Sequence, residues 1–342
     1  MQLELIPCAS ETRWEQCLTE FPGATVFHRL PWLQLVAKLS ESELRLYELS
    51  NGAQSVGLFP LFFFRRGPVK LAASPPPLAA TPYLGPVTAP ELIPAALEAA
   101  ATEAKRQRAA YAEFRIGKTL EFREDQAYRF ETEPRSTFVL DLRDGPEALW
   151  QHSLDPSCRR AIRKAQKSGV EIEEVGLEDV IEPYYAMAEE VFSKYHRPPP
   201  LTFDQYREIA ATLKGASLAK VFVARHEGKL LSAGIFPFDQ HQVYYLDGVS
   251  SESGLSLRPN NLLHWEVICW AIRSGIGQYD MVGAGVAGVA RFKRSFGPAE
   301  VPYTYCYCAL APWAAVARRA YALLAPTGRV VRYFLRTKRR DC

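Results

Sequence analysis

This chain of 342 residues reads as an α+β protein built from two tandem copies of one unit, each with a mixed, mainly antiparallel sheet flanked by helices. Three observations predict it. Ser55-Val56-Gly57-Leu58-Phe59-Pro60 returns 177 residues later as Ser232-Ala233-Gly234-Ile235-Phe236-Pro237. Each copy follows an apolar strand and a turn. After each come a further strand, a helix with an apolar face and a short strand. Roughly one domain per 150 residues leaves room for two such units, and a two-copy repeat of this size is a duplicated domain, not a solenoid.

In the first half the hairpin runs from Leu46–Leu49 through Asn51-Gly52, whose glycine supplies the turn's positive φ. The helix falls at about Glu91–Ala109 and the strand at Ala112–Ile116. The second half repeats this with Val221–Ala224, Glu227-Gly228, a helix at about Asn261–Ser274 and a strand at Gln278–Val282. Asp144-Gly145-Pro146 breaks the chain before a new helix, so the expected domains are 1–146, 147–312 with the site, and a basic tail, 313–342, packing on the first domain. Pro75–Pro77 and Pro198–Pro200 mark rigid extended loops, one per half.

Composition excludes several classes. With 48% hydrophobic and 23% charged residues the chain is neither disordered nor collagen-like. Seven cysteines without a C-x-x-C pair write neither a zinc ribbon nor a disulfide framework. Cys306 and Cys308 alternate along one strand and read as packing thiols. The N-terminus has no basic segment followed by an apolar stretch, and a reducing cytoplasm is the expected compartment. The net charge of +3 hides an asymmetry: residues 313–342 carry +7 and the remainder −4. The tail reads as an amphipathic helix near Trp313–Leu324, then a segment, Arg329–Arg340, that interleaves cations with Val330, Val331, Tyr333, Phe334 and Leu335. That interleaving suits an anionic membrane surface, with RNA contact the alternative.

Gly283-Ala284-Gly285-Val286-Ala287-Gly288 fits G-x-G-x-x-G after a strand, but Gly297-Pro298 stops the next helix within about two turns, so dinucleotide binding lacks its context. Between Cys158 and Gly169 lies a helix with five basic residues, closed by Gly169. Arg159, Arg163 and Lys167 form a stripe flanked by Arg160 and Lys164, which either holds phosphates or is a solvated face. The six histidines lack metal spacing, and no G-x-S-x-G elbow is present. Arg291-Phe292-Lys293-Arg294-Ser295-Phe296-Gly297 places cations between aromatics just after the glycine loop, where a lysine can offset a developing oxyanion or bind phosphate.

Three stretches together resemble the Fem-type (FemABX-like) aminoacyltransferases of peptidoglycan bridge synthesis, in the GNAT-like acyltransferase superfamily. They are the basic helix Arg159–Val170; Asn261-Leu262-Leu263-His264-Trp265-Glu266 with Trp270-Ala271, Gly275 and Tyr279-Asp280; and Gly288–Gly297. The resemblance covers nearly the whole chain and implies two GNAT-like domains. It implies that Lys293, with Phe292 beside it, stabilises the acyl-transfer transition state. Arg197, in His196-Arg197-Pro198, would contact acceptor phosphates, and Tyr244 would line the acceptor cleft. Asp280 is a candidate for orienting the amine or moving its proton. Arg159, Arg163, Lys167, Asn261 and Tyr206 are candidate substrate-binding residues; Tyr206 stands near Phe203, where the family has a tyrosine. The pattern departs after Trp32, where Gln34 and Val36 replace a basic residue of some members. No coiled-coil arm interrupts the second half.

The expected activity is amide formation, with no cofactor. An aminoacyl group would pass from aminoacyl-tRNA to an amine of a UDP- or lipid-linked envelope precursor, at the inner face of the cytoplasmic membrane. One alternative is an acyl-CoA-dependent N-acyltransferase of envelope polysaccharide synthesis, disfavoured because Arg258-Pro259-Asn260-Asn261 opens its helix without the glycines of a pyrophosphate loop. Another is a non-catalytic binding protein with a degenerate site.

Overall fold

The computed structural model describes residues 2–77, 80–117, 119–120, 128–194, 196–283 and 287–316. The first half runs β1 (Glu4–Pro7), α1 (Glu11–Cys17), α2 (Leu30–Leu39), β2 (Glu43–Ser50), β3 (Ser55–Arg66), β4 (Val69–Ser74), β5 (Val87–Thr88), α3 (Ile93–Arg106), β6 (Tyr111–Ile116) and β7 (Glu131–Asp141). The second runs α4 (Gly145–Ala148), α5 (Pro156–Lys167), β8 (Glu171–Val175), α6 (Leu177–Ser193), α7 (Phe203–Gly215), β9 (Ala219–His226), β10 (Lys229–Pro237), β11 (Gln242–Tyr244), β12 (Asp247–Ser250), α8 (Pro259–Arg273), β13 (Gln278–Asp280), α9 (Ala287–Arg294) and β14 (Ala299–Ala309). Both expected hairpins are present, β2–β3 and β9–β10. The expected helices and strands fall within a few residues of their places. α5 ends as its sequence implies, with Gly169 at φ +74° just beyond the cap.

The repeated hexapeptide lies in β3 and β10, and its glycine is crowded in each copy, by a crossing strand at Gly57 and by the Phe236 ring at Gly234. A Cβ on Gly57 would lie 2.5 Å from the Val87 carbonyl oxygen, and one on Gly234 would lie 2.8 Å from the Phe236 ring and 3.5 Å from the Asp247 oxygen. In both halves a crossing strand packs against the hairpin at this glycine: β5 pairs with β3 at Gly57, and β12 with β10 at Gly234.

The two copies do not close separate sheets. Ten strands form one sheet in the order β1-β2-β3-β4-β6-β14-β7-β13-β11, with β5 on β3, and four form a second in the order β12-β10-β9-β8. β7, which ends the first half, pairs with β13 of the second. β14, which ends the second, pairs with β6 of the first and with β7. A division at residue 146 therefore separates strands that are partners.

Four apolar clusters cover the sheets. α3 packs Ile93, Leu97, Ala100 and Ala104 on Phe59, Leu61 and Phe114; α1 and α2 place Trp14, Trp32 and Val36 on the other face of β3, against Leu58 and Phe62. Burial on both faces explains why β3 is continuously apolar. In the second half α5 and α8 cover one face of the small sheet and α6 and α7 the other. Cys306 and Cys308 are buried in the first-half core, as packing thiols. No helix among the described residues is long and apolar enough to cross a membrane. The expected tail helix and basic segment lie almost wholly outside the described residues, apart from exposed Trp313 and Val316.

Gly297 fixes where α9 hands over to β14: its φ is +79°, and a Cβ there would lie 2.3 Å from the Ser153 carbonyl oxygen. Gly52 has a similar φ of +89° but open space around it. Gly52→Ala is expected to cost about 1 kcal/mol, the price of a left-handed alanine, and Gly297→Ala at least about 2 kcal/mol, since a clash with backbone is added. Urea unfolding of both variants checks this; equal losses would show that the Ser153 contact does not constrain the chain.

Candidate functional site

The site grows from a strand that changes partners. β11 pairs in parallel with β13 in the large sheet, and β12 pairs antiparallel with β10 in the small one. Between them the Tyr245 N–H donates to the Asp280 carbonyl at 2.8 Å and the Leu246 N–H to the Ile235 carbonyl at 3.1 Å. Strands β11–β12 and β13 splay apart at this point. The first half has the parallel pair β4–β6, but the loop after β4 fills the matching position: Leu84 bridges to Ile116 and its N–H bonds to the Arg115 carbonyl at 2.9 Å. That loop begins at Pro75–Pro77, the expected rigid segment.

Lys293 lies at the open splay. Its side chain comes from α9, is 5% exposed, and donates to the carbonyls of Val282 at 3.1 Å and Gly283 at 2.8 Å. Its Nζ stands 5.5 Å from the centre of the Tyr245 ring. Burial pulls its pKa down to about 8, and the Asp280 charge opposes the fall. An ammonium held by neutral carbonyls, with no carboxylate among the described residues in direct contact, keeps its charge available to a substrate. Phe292, the preceding residue, stacks edge-on to His264 at 5.2 Å. His264 is buried, shares a 2.6 Å hydrogen bond with the Tyr279 hydroxyl, and is kept neutral: burial, then the Lys293 charge, push its pKa to about 3.

Asp280 is placed differently from its expected role. It is buried and accepts from the Thr137 hydroxyl at 2.5 Å, the Tyr83 hydroxyl, the Gln242 amide at 3.3 Å and the Val282 N–H at 2.7 Å. These donors fill its lone pairs, so the carboxylate clamps the first-half loop, β7 and β11 to β13 and is not free to accept an amine's proton. Burial raises its pKa, and the bonds from Thr137 and Tyr83 resist that. Tyr244 is also buried, 4.6 Å from Phe27 in the core beneath α1 and α2. Its neighbour Tyr245 lines the splay instead.

The basic helix divides by face. Arg159 caps the carbonyls of Trp150, Gln151 and Leu154 at 2.8, 3.1 and 2.8 Å, a structural task in place of the expected substrate contact. Arg163 covers the Trp150 ring at 5.3 Å, and Lys167 is exposed in the last turn. The flanking pair, Arg160 and Lys164, lines an open pocket of about 530 Å³ with Arg258, Asn261, Arg291 and Phe292. Four cations thus converge where α5, the start of α8 and α9 meet, in a pocket that Phe292, the residue before Lys293, also lines. Arg197 is exposed between α6 and α7 and is not brought beside Lys293 by any contact. Tyr206 is buried and donates to Asp247 at 2.7 Å. Among the described residues no group of three His, Cys, Asp or Glu side chains could hold a metal.

Sequence reasoning missed Tyr245, Tyr83, Thr137, Asp247, Arg258 and Arg291. Arg258, at φ +61° before Pro259, stood at a helix start whose signal was visible; Tyr83 and Thr137 reach Asp280 only through pairing between the halves.

Comparison with known proteins bears on the fold. Residues 156–294 match the family model of the acetyltransferase (GNAT) domain, and residues 115–192 that of the FemAB family. In sequence the chain thus resembles GNAT-domain and Fem-type proteins. A UDP-N-acetylmuramoylpentapeptide-lysine N(6)-alanyltransferase of Weissella viridescens is 30% identical over 156 residues, which span 44% of each protein. The crystal structure of FemX superposes with a TM-score of 0.73 at 15% identity, over 95% of this chain and 100% of that one. A tandem GNAT protein from the clavulanic acid pathway gives 0.55 at 11%, over 91% and 99%. L-PGS of Bacillus licheniformis gives 0.53 at 13%, over 97% and 98%. At these identities the structural likeness is one of fold, and it includes a tandem arrangement of GNAT units.

Buried His264 and His28, the latter lowered by burial to about 4, bind protons more weakly folded than unfolded. Acid therefore favours the unfolded chain, starting as pH falls below about 6.5 and continuing to about 4 for His28 and about 3 for His264. The stability gap between the wild type and His264→Gln should narrow as pH falls from 7 to 5. A gap constant with pH would show that His264 binds its proton equally well folded and unfolded, so that burial does not disfavour its charged form.

Proposed function

We propose that this chain is an amide-forming aminoacyltransferase that takes its acyl group from aminoacyl-tRNA and delivers it to an amine of a cell-envelope precursor. The observation that carries the reading is Lys293, a buried ammonium at the splay beside a pocket ringed by Arg160, Lys164, Arg258 and Arg291. The pocket suits the phosphodiesters of a donor's 3′ end, and Asn261 and Phe292 could meet a sugar or base there. The relative from Weissella viridescens, named for lysine N(6)-alanyl transfer to a UDP-linked pentapeptide, supports an amine acceptor and an envelope precursor.

Amide formation from an ester needs a neutral amine, a positioned carbonyl and stabilisation of the charge that develops on the carbonyl oxygen. Lys293 supplies the last; one well-placed donor in other acyl-transfer sites is worth about 3–4 kcal/mol. The acceptor nitrogen attacks the carbonyl carbon, the C–N bond forms, and the ester C–O bond breaks as the ribose hydroxyl takes a proton. Aromatic walls from Tyr245, Phe292 and His264 thin the water around the ammonium and strengthen its field. The basic segment 329–342 would hold the enzyme at an anionic membrane where lipid-linked acceptors reside.

The deciding experiment offers the protein labelled aminoacyl-tRNAs and acyl-CoAs in parallel, with lipid-linked muropeptide or its UDP precursor. Label should reach the acceptor from tRNA; label from CoA alone would overturn the donor assignment, and none from either would favour a binding protein. Lys293→Ala should abolish transfer while preserving the fold. In the wild type, turnover should decline as pH rises through about 8, where Lys293 loses its proton, and Lys293→Arg should remove that decline from whatever activity it keeps. Arg160→Ala with Arg291→Ala should weaken tRNA binding and reduce its salt dependence by about 0.7 in log–log slope per lost phosphate contact. Deleting residues 329–342 should abolish binding to anionic liposomes; unchanged binding would exclude the tail as the membrane contact.

A further inference from the structure

Beyond the splay, the strand that carries Tyr245 ends in a carboxylate with an unusual setting. Asp247 opens β12, and its Oδ2 accepts from the Tyr184 hydroxyl at 2.8 Å and the Tyr206 hydroxyl at 2.7 Å. Those tyrosines come from α6 and α7, are both buried, and pack with ring centres 5.3 Å apart. Asp247 itself is half-buried and, among the described residues, these two phenols are its hydrogen-bond donors and no Lys or Arg pairs with it. Such an anion is positioned by neutral groups and neutralised by none. Burial, with the Asp247 charge second, raises the pKa of both phenols, so each stays a donor at neutral pH.

Tyr245 connects this carboxylate to the lysine. Its ring centre is 5.5 Å from Lys293 Nζ. A Cβ on Gly248 would lie only 2.2 Å from the Tyr245 hydroxyl oxygen, so the phenol tip rests on the Asp247–Gly248 backbone. One tyrosine therefore spans the space between the lysine and the aspartate strand. The charges are also segregated. The cation-lined pocket opens on the side of α5, α8 and α9, whereas Asp247 faces α6 and α7. A polyphosphate donor is attracted to the first side and repelled from the second.

We propose that Asp247, held by Tyr184 and Tyr206, receives the acceptor's amino group; the inference rests on the amide-forming reading above. Its Oδ1 takes one proton from the entering alkylammonium, leaving the neutral amine whose lone pair attacks the acyl carbon. The amine's next proton leaves with the departing ribose hydroxyl, and the proton on Asp247 passes to solvent as the amide product departs. Each turnover releases one proton. The ligand class is a primary alkylammonium, and an acceptor that offers a hydroxyl in its place lacks the charge that Asp247 recognises.

The test measures transfer from aminoacyl-tRNA to a lysine-bearing precursor across pH 6–10, with tRNA binding measured separately. Asp247→Asn keeps the shape and the contacts to both phenols but cannot take a proton. Its kcat/KM for the acceptor should fall roughly 100-fold at pH 7 and recover toward the wild type as pH approaches the amine's own value of about 10.4, with tRNA affinity unchanged. Tyr206→Phe removes one of the two donors that orient the carboxylate, so kcat/KM for the acceptor should fall, by less than in Asp247→Asn, while tRNA affinity holds. An Asp247→Asn variant within twofold of the wild type, or a loss equal at every pH, overturns the proposal. Should that variant not fold, a Tyr206→Phe enzyme with unchanged kcat/KM for the acceptor overturns it instead. A wild type that transfers nothing from tRNA refutes the functional reading, a result distinct from a wild type that transfers and an Asp247 variant that keeps pace.

Discussion

At Tyr245 and Leu246 one strand leaves the large sheet and joins the small one, and the site depends on this transfer of hydrogen bonds. Donors on consecutive residues point to Asp280 in one sheet and Ile235 in the other. A regular sheet would leave no gap here, because neighbouring strands lie about 4.8 Å apart. The splay opens a gap whose walls are backbone and whose mouth is reached by α9. Lys293 can then bond the Val282 and Gly283 carbonyls, which the turn after β13 frees from sheet pairing. Val282, at φ +58°, is a β-branched residue in the left-handed region. It is held there by its own N–H bond to Asp280 and by the lysine on its carbonyl.

Duplication explains why one such frame is open and its counterpart is filled. Both halves contain the hairpin, the crossing strand and the parallel pair that frame a splay. In the first half the loop after Ser74 enters the frame and bridges to Ile116, and Tyr83 from the same loop reaches across to Asp280. The first copy has exchanged its cavity for a strut under the second. The swapped strands β7 and β14 reinforce this, since Thr137 on β7 bonds the same carboxylate. Asp280 therefore reports on three segments at once, and its burial is tolerable because each oxygen is hydrogen-bonded.

The sequence displayed the fold more fully than the site. Gly57 and Gly234 recur at matching places in β3 and β10, Gly57 admitting a crossing strand and Gly234 the Phe236 ring, so the duplication was legible as a repeated strand. Gly169 and Pro259 marked helix ends by local chemistry. Lys293 and Phe292 were legible through family resemblance and lie at the splay. The roles of Arg159, Asp280 and Tyr206 were not legible, since a guanidinium on a helix stripe looks the same whether it meets phosphate or caps carbonyls nine residues back. Tyr244 and Tyr245 are adjacent and identical in type. Only the break in strand pairing sends one into the core beside Phe27 and the other toward Lys293.

Placing an ammonium at 5% exposure carries a desolvation penalty that a direct carboxylate partner would relieve. Among the described residues none is supplied. Asp280 is near enough to oppose the fall in the lysine's pKa, yet its oxygens are taken by hydroxyls and amides. The nearest base, His264, is itself kept neutral. A direct ion pair would stabilise the folded chain and quench the charge; two backbone carbonyls stabilise it less and leave its field directed outward. Lys293 is consequently poised near neutral pH, where a developing negative charge from a substrate would restore the partner that the fold withholds. Stability surrendered in the resting state is recovered only when negative charge forms on the substrate, which is the condition for an interaction to accelerate a reaction and not merely to bind.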